Sequence, residues 1–157
     1  MEIERKFLLN ILPDDENHYK HAEIEQAYIS TDPTIRLRRC NGIFYLTVKQ
    51  NGLLAREEIE FAITREQYEH LWNKIETNVI RKTRFFIPLH DDLIAEADVY
   101  HGDLQGLMTV EVEFGSIAEA ERFIPPSWFG ADVTHIPEYA NSSLAIKGMC
   151  LINKIKT

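Results

Sequence analysis

A chain of 157 residues, 45% of them hydrophobic and 27% charged, can bury one sizeable core and reads as a single domain spanning residues 1–157. Its formal net charge of −8 argues against a nucleic-acid surface of the usual basic kind, it shows no apolar run of bilayer-spanning length, and its first residues do not read as a secretory leader. The expected setting is cytoplasmic, without membrane or nucleic-acid partners; the two cysteines, Cys40 and Cys150, lie too far apart in sequence to suggest a disulfide framework or a zinc set.

Taken in chain order, alternation with period two starts at once. An extended strand turns successive side chains to opposite faces, so Glu2, Glu4 and Lys6 share one face while Ile3 and Phe7 take the other. Two carboxylates one pleat apart repel unless something positive stands between them. A divalent cation would serve, and so would a neighbouring strand of arginines. Residues 11 to 22 are polar and read as a loop or short helix, and His18 and His21 find no acidic or cysteinyl partners to complete a metal set. Then EQAYIS, TIRLRR, IFYLTVK, REEIEFAI, VIRKTRFFIPL, IAEADVY and MTVEVEF all read as strands, bringing the expected total to about eight. Turn chemistry at Asp32-Pro33, Asn41-Gly42, Asn51-Gly52 and Asp91-Asp92 makes sequence neighbours antiparallel neighbours. Helices are expected after Thr64 and Ser116, each followed three residues on by Gln67 or Glu119 as a capping box, and from Asn141 through SSLAIKGMCLINKI.

One parity of these strands carries Glu2, Glu4 and Lys6; Arg36 and Arg38; Tyr45, Thr47 and Lys49; Arg56, Glu58 and Glu60; Lys82 and Arg84; Glu96 and Asp98; Glu111 and Glu113. The other parity is apolar: Ile35 and Leu37, Phe44 and Leu46, Ile59 and Phe61, Phe85 and Ile87, Val110 and Val112. A solvated sheet face with cross-strand ion pairs, worth roughly a few tenths of a kcal/mol each, accounts for any one pair of charges. It accounts poorly for charges at successive positions on seven strands. An antiparallel sheet of this size can instead close into a barrel, with helices over its apolar outside and the charges lining its lumen. Basic side chains would then hold phosphate oxygens, and carboxylates the divalent ions that accompany them.

These residues resemble the CYTH superfamily, the triphosphate tunnel metalloenzymes, which include class IV adenylyl cyclases, thiamine triphosphatases, inorganic triphosphatases and fungal RNA triphosphatases. Glu2 to Lys6 fits its ExExK motif, and RLR at 36–38, LTVK ending in Lys49, REEIE at 56–60, KTR at 82–84, EADVY at 96–100 and VEVEF at 110–114 follow in family order. The resemblance implies an α+β fold, a closed antiparallel eight-stranded β-barrel with a charged lumen and helices outside. It implies metal-dependent hydrolysis of a triphosphate, with Glu2, Glu4 and Glu113 holding a first Mg²⁺ or Mn²⁺ and Asp98 and Glu111 as candidates for a second. Lys6, Arg36, Arg38, Lys49, Arg56, Lys82 and Arg84 would cradle phosphates, Glu58 and Glu60 would orient those cations, and Lys82 with Tyr28 matches a pair found near the attacking water in some small bacterial-type members. The stretches ERKFLL, QAYIS, KTRFF, DVYHGDLQGL, FIPPSWFG and EYANSSLA are most similar to the compact bacterial inorganic triphosphatases. Ala140, Ser142 and Ser143 depart from the lysines that related members often carry around Asn141. The expected substrate is inorganic triphosphate. Adenylyl cyclase, thiamine triphosphatase and a non-catalytic polyphosphate-binding module stand as alternatives.

Overall fold

The computed structural model describes residues 1–50 and 54–148. Nine strands form one antiparallel sheet: β1 (Glu2–Leu8), β2 (Lys20–Thr31), β3 (Thr34–Cys40), β4 (Ile43–Lys49), β5 (Ala55–Arg56), β6 (Glu58–Ile63), β7 (Ile80–Pro88), β8 (Ile94–Tyr100) and β9 (Met108–Glu113). Their spatial order is β5-β1-β9-β8-β7-β2-β3-β4-β6. The two ends of that order, β5 and β6, are consecutive in the chain with only Glu57 between them. The sheet therefore curls back on itself into a nearly closed barrel. The expected single strand over 56–63 is split at Glu57, because β5 turns to pair Arg56 with Glu2 while β6 stays beside β4, pairing Glu58 with Lys49.

The expected turn at Asn41-Gly42 has both residues at positive φ, 48° and 83°, the two-residue geometry that matches strand twist. Asn51-Gly52 lies outside the described residues, as do Cys150 and the expected helix beyond Gly148. Residues 11–22 divide between a short 3₁₀ turn at Glu16–His18 and the start of β2.

One stretch of barrel edge is closed by neither strand end. Beyond Ile3, the edge of β1 that β5 leaves free is taken by residues 130–134: Leu8 N–H donates to Ala131 O at 2.9 Å, Gly130 N–H to Leu8 O at 2.8 Å and Val133 N–H to Lys6 O at 2.8 Å. A Cβ at residue 130 would stand 2.7 Å from Leu8 O, so the close approach requires glycine. Gly130→Ala should therefore cost about 1–3 kcal/mol, the usual range for forced overpacking, read as a lower urea midpoint at unchanged m-value. An unshifted midpoint would mean the seam can yield.

Helices α1 (Arg65–Trp72) and α2 (Ile117–Arg122) pack on the outside as expected, but they leave the outer face of β6 uncovered, with Ile59 and Phe61 exposed. Thr64 and Gln67 form the full capping box, whereas Glu119 accepts from Gly115 N–H while Ser116 caps Glu119 N–H. Tyr68 of α1 packs with Leu37 and Phe44; Ala120 of α2 joins Phe7, Phe85, Val110 and Val112. The third helix, α3 (Asn141–Lys147), differs: its Leu144 and Ala145 pack with Tyr28, Ile80 and Tyr100, whose strand parity faces inward. Residues 133–145 thus lie across the barrel interior rather than over its outer wall.

Candidate active site

The lumen holds a cavity of about 500 Å³. Lining it are Glu2, Glu4 and Lys6 from β1, Tyr28 from β2, Arg36 and Arg38 from β3, Lys49 from β4, Arg56 from β5, Glu58 and Glu60 from β6, Arg84 from β7, Glu96 from β8, and Glu111 and Glu113 from β9. Alternation alone puts them there, since each has the inward parity of its strand. Val133, Thr134, Ile136, Ala140, Asn141 and Ser142 add a wall from outside the strands. Of the residues assigned a role in metal, phosphate or water binding from the sequence, Lys82 and Asp98 are absent from this lining, as are Tyr45 and Thr47 among the other residues of inward parity.

Lys82 and Asp98 are completely buried behind it. Lys82 Nζ lies 2.5 Å from Asp98 Oδ2, and Asp98 also receives Arg84 Nε at 2.8 Å and Nη2 at 2.9 Å. Both oxygens of Asp98 are thereby engaged. Burial pulls the Lys82 ammonium down to about 7 against the opposing pull of Asp98, whereas Asp98, despite burial, is held low by Arg84 and Lys82. Tyr28 makes its side-chain hydrogen bond to Gln26 instead, so Lys82 and Tyr28 are not a bonded pair here.

Carboxylates and cations interleave through the cavity. Lys49 Nζ bonds both oxygens of Glu2, at 2.8 and 2.9 Å, and Arg56 reaches Glu2 at 2.7 Å and Glu4 at 2.6 Å. Lys6 pairs with Glu111 at 2.9 Å, and Arg36 with Glu60 at 3.0 Å. Arg84 also meets Glu111, at 3.1 Å, and Glu96. Glu58 orients Lys49 from 3.2 Å. Arg36 Nε is buried with no partner among the described residues, a donor left for an incoming oxygen.

Glu4 carries the clearest electrostatic signal. Burial pushes its carboxyl up to about 7, and Glu111 and Glu2 beside it add to the shift against Arg56 and Lys49. It sits directly across from Glu113 in the β1–β9 register, and Glu113 is exposed. This corner holds several hard oxygen donors and too little positive charge, which is the chemistry a divalent cation suits. Among the described residues no three such donors already stand as a metal-holding set, because basic side chains occupy several of their oxygens.

Sequence reasoning missed Gln26, although EQAYIS gives it the same parity as Tyr28. It also missed the 133–142 wall, which has no periodic pattern to betray it.

The CYTH domain model matches residues 1–113. An inorganic triphosphatase from Nitrosomonas europaea is 43% identical over 149 residues, covering 92% of this chain and 97% of the relative. A crystal structure of an inorganic triphosphatase superposes with a TM-score of 0.69 at 40% identity, covering 93% of this chain and 95% of that one. A Hippeastrum protein reported with a dominant triphosphatase activity shares the fold at 16% identity and a TM-score of 0.54, over 77% of this chain and 83% of that one. Motif order, barrel and these likenesses agree: the chain belongs to the CYTH family.

Proposed function

We propose that this protein hydrolyses inorganic triphosphate at its terminal phosphoryl group and requires Mg²⁺ or Mn²⁺ to do so. The observation that carries this reading is the cavity lining, with six cationic side chains and seven carboxylates. The cations are numerous enough to grip a polyphosphate at every unit. The carboxylates leave the cavity without a net positive charge, so a polyanion would enter with cations of its own. The triphosphatase that is 43% identical supports the same substrate.

Glu2, Glu4, Glu111 and Glu113 would hold the ion. When bound, it would neutralise phosphate oxygens and polarise the group being transferred. Arg36, Arg38, Lys6 and Arg56 would hold the non-bridging oxygens, aligning the terminal group for a water and countering the charge that builds on the leaving oxygen. Asp98 would fix the plane of Arg84 from behind, and Lys82 would have to leave Asp98 before it could meet a water. Glu60 orients Arg36 directly and through Thr47, whose hydroxyl donates to it at 2.6 Å.

Cyclisation of ATP and hydrolysis of thiamine triphosphate both need room and apolar surface for an organic ring. Among the described residues the lining offers one aromatic side chain, Tyr28, with Met1, Val133, Ile136 and Ala140. Incubation with inorganic triphosphate and Mg²⁺ or Mn²⁺ should release phosphate and pyrophosphate in equal amounts, and EDTA should stop it. Binding without cleavage would leave a polyphosphate-binding module, cAMP from ATP would make the protein a cyclase, and full turnover in EDTA would remove the metal from the mechanism. Among the described residues no helix is long and apolar enough to cross a membrane.

A further inference from the structure

Gln26 belongs to no ion pair, yet its completely buried amide lies between two residues that line the cavity. Its Oε1 accepts from Arg38 Nε at 3.1 Å, and its Nε2 donates to Tyr28 Oη at 3.2 Å. The amide has no freedom to flip. Arg38 Nε can only donate, so the amide oxygen must face it and the NH₂ must face Tyr28. Tyr28 Oη is then an acceptor on that side, and its own proton must point elsewhere. Tyr28 borders the cavity, which leaves that direction open.

Arg38 is unusual for the same reason. Each of the other five lining cations has a carboxylate oxygen within 2.6 to 3.0 Å. Arg38 has no ion pair among the described residues; its hydrogen-bond partner is the uncharged amide.

We propose that Gln26 is a positioning residue that aims the Tyr28 O–H into the cavity as a donor to a substrate phosphate oxygen, while holding Arg38 by a neutral acceptor that leaves its charge free for the same anion. This rests on the triphosphatase reading.

Gln26→Glu separates this role from a structural one. A carboxylate of the same shape still accepts from Arg38 and can accept from Tyr28 O–H, so both contacts survive. Their consequences reverse: Arg38 is neutralised and the Tyr28 proton turns away from the cavity. A merely structural Gln26 should tolerate the change. The expected result is a KM raised and a kcat lowered by about ten-fold or more each, the loss expected of a charge-assisted contact and a positioned donor. Tyr28→Phe should lower kcat in the parent and change little further in Gln26→Glu. Activity of Gln26→Glu within two-fold of the parent, or an equal Tyr28→Phe loss in both backgrounds, would overturn the proposal. Circular dichroism checks the fold. Should Gln26→Glu not fold, Gln26→Met serves: it lets the phenol rotate freely, so Tyr28→Phe should cost less there than in the parent, and an equal cost counts against the proposal. Calorimetric binding of inorganic triphosphate keeps the two readings apart. A parent that binds but does not cut would end the triphosphatase reading, while about ten-fold weaker binding to Gln26→Glu would still support the neutral hold on Arg38 and unchanged binding would refute it.

Discussion

Glu4→Gln should abolish triphosphate turnover and yet leave a barrel more stable than the parent above pH 7. The loss of activity follows from removing a carboxylate at the corner most short of positive charge; a fall of about a hundred-fold or more is the scale for deleting one electrostatic stabiliser. The gain in stability follows from the sign of its shift. The Glu4 carboxyl rises from 4.5 to about 7 on folding, so the folded chain holds this proton more tightly than the unfolded one. That contribution to stability is complete below about pH 4.5 and is lost as pH rises through about 7. Glutamine has no proton to lose, and its carbonyl can still accept from Arg56, which lies 2.6 Å from Glu4. At about 1.4 kcal/mol per unit, the advantage of the variant at pH 8 is at most about 3.5 kcal/mol. Thermal unfolding of both proteins in metal-free buffer from pH 4 to 9 measures it. Parallel curves would mean that Glu4 is ionised without penalty, and undiminished turnover would remove Glu4 from the site.

Arg84→Met should be the most destabilising of the lumen substitutions. Arg84 is buried and binds Asp98 through two nitrogens while also meeting Glu96 and Glu111. Methionine fills part of the space and leaves Asp98 with Lys82 alone, Glu111 with Lys6 alone, and Glu96 without an ion pair among the described residues. Breaking a buried pair from one side costs about 3–5 kcal/mol, a large share of an ordinary domain's stability. Arg84→Lys should recover only part of it, because an ammonium cannot reproduce the two-pronged contact with Asp98. Urea titration gives each value, and a loss under about 1 kcal/mol in Arg84→Met would mean that water enters and solvates Asp98.

The strands and their faces were legible because a period of two is written directly into the residues. Glu2, Glu4, Lys6, Arg36, Arg38 and Lys49 stand far apart in sequence, and parity alone sends all of them to one cavity. Parity says which way a side chain points, however, and not what lies over it. Lys82 and Asp98 have inward parity and are nonetheless sealed away, paired to each other behind Arg84. The inward packing of α3 was hidden for a related reason, since an apolar helical stripe fits the inside of a barrel as well as its outside. Residues 130–134 carry no alternation, and their place is set by the free edge of β1 and the room at Gly130. Gln26 was overlooked because an uncharged amide stands out little in a motif of ions.

The seam along β1 also bears on how the chain folds as it is made. β1 comes first in the sequence, but its neighbours are residues 55–56, 108–113 and 130–134. The meander from β2 to β4 can pair as soon as it emerges, whereas β1 keeps most of its length unpaired until residues 108–134 have emerged. Such distant pairings carry the largest loop-closure cost and come late. While it waits, β1 offers an unpaired amphipathic strand, the kind of edge on which nascent chains associate. The alternating charges of Glu2, Glu4 and Lys6 would then also guard the nascent strand against association with its own kind.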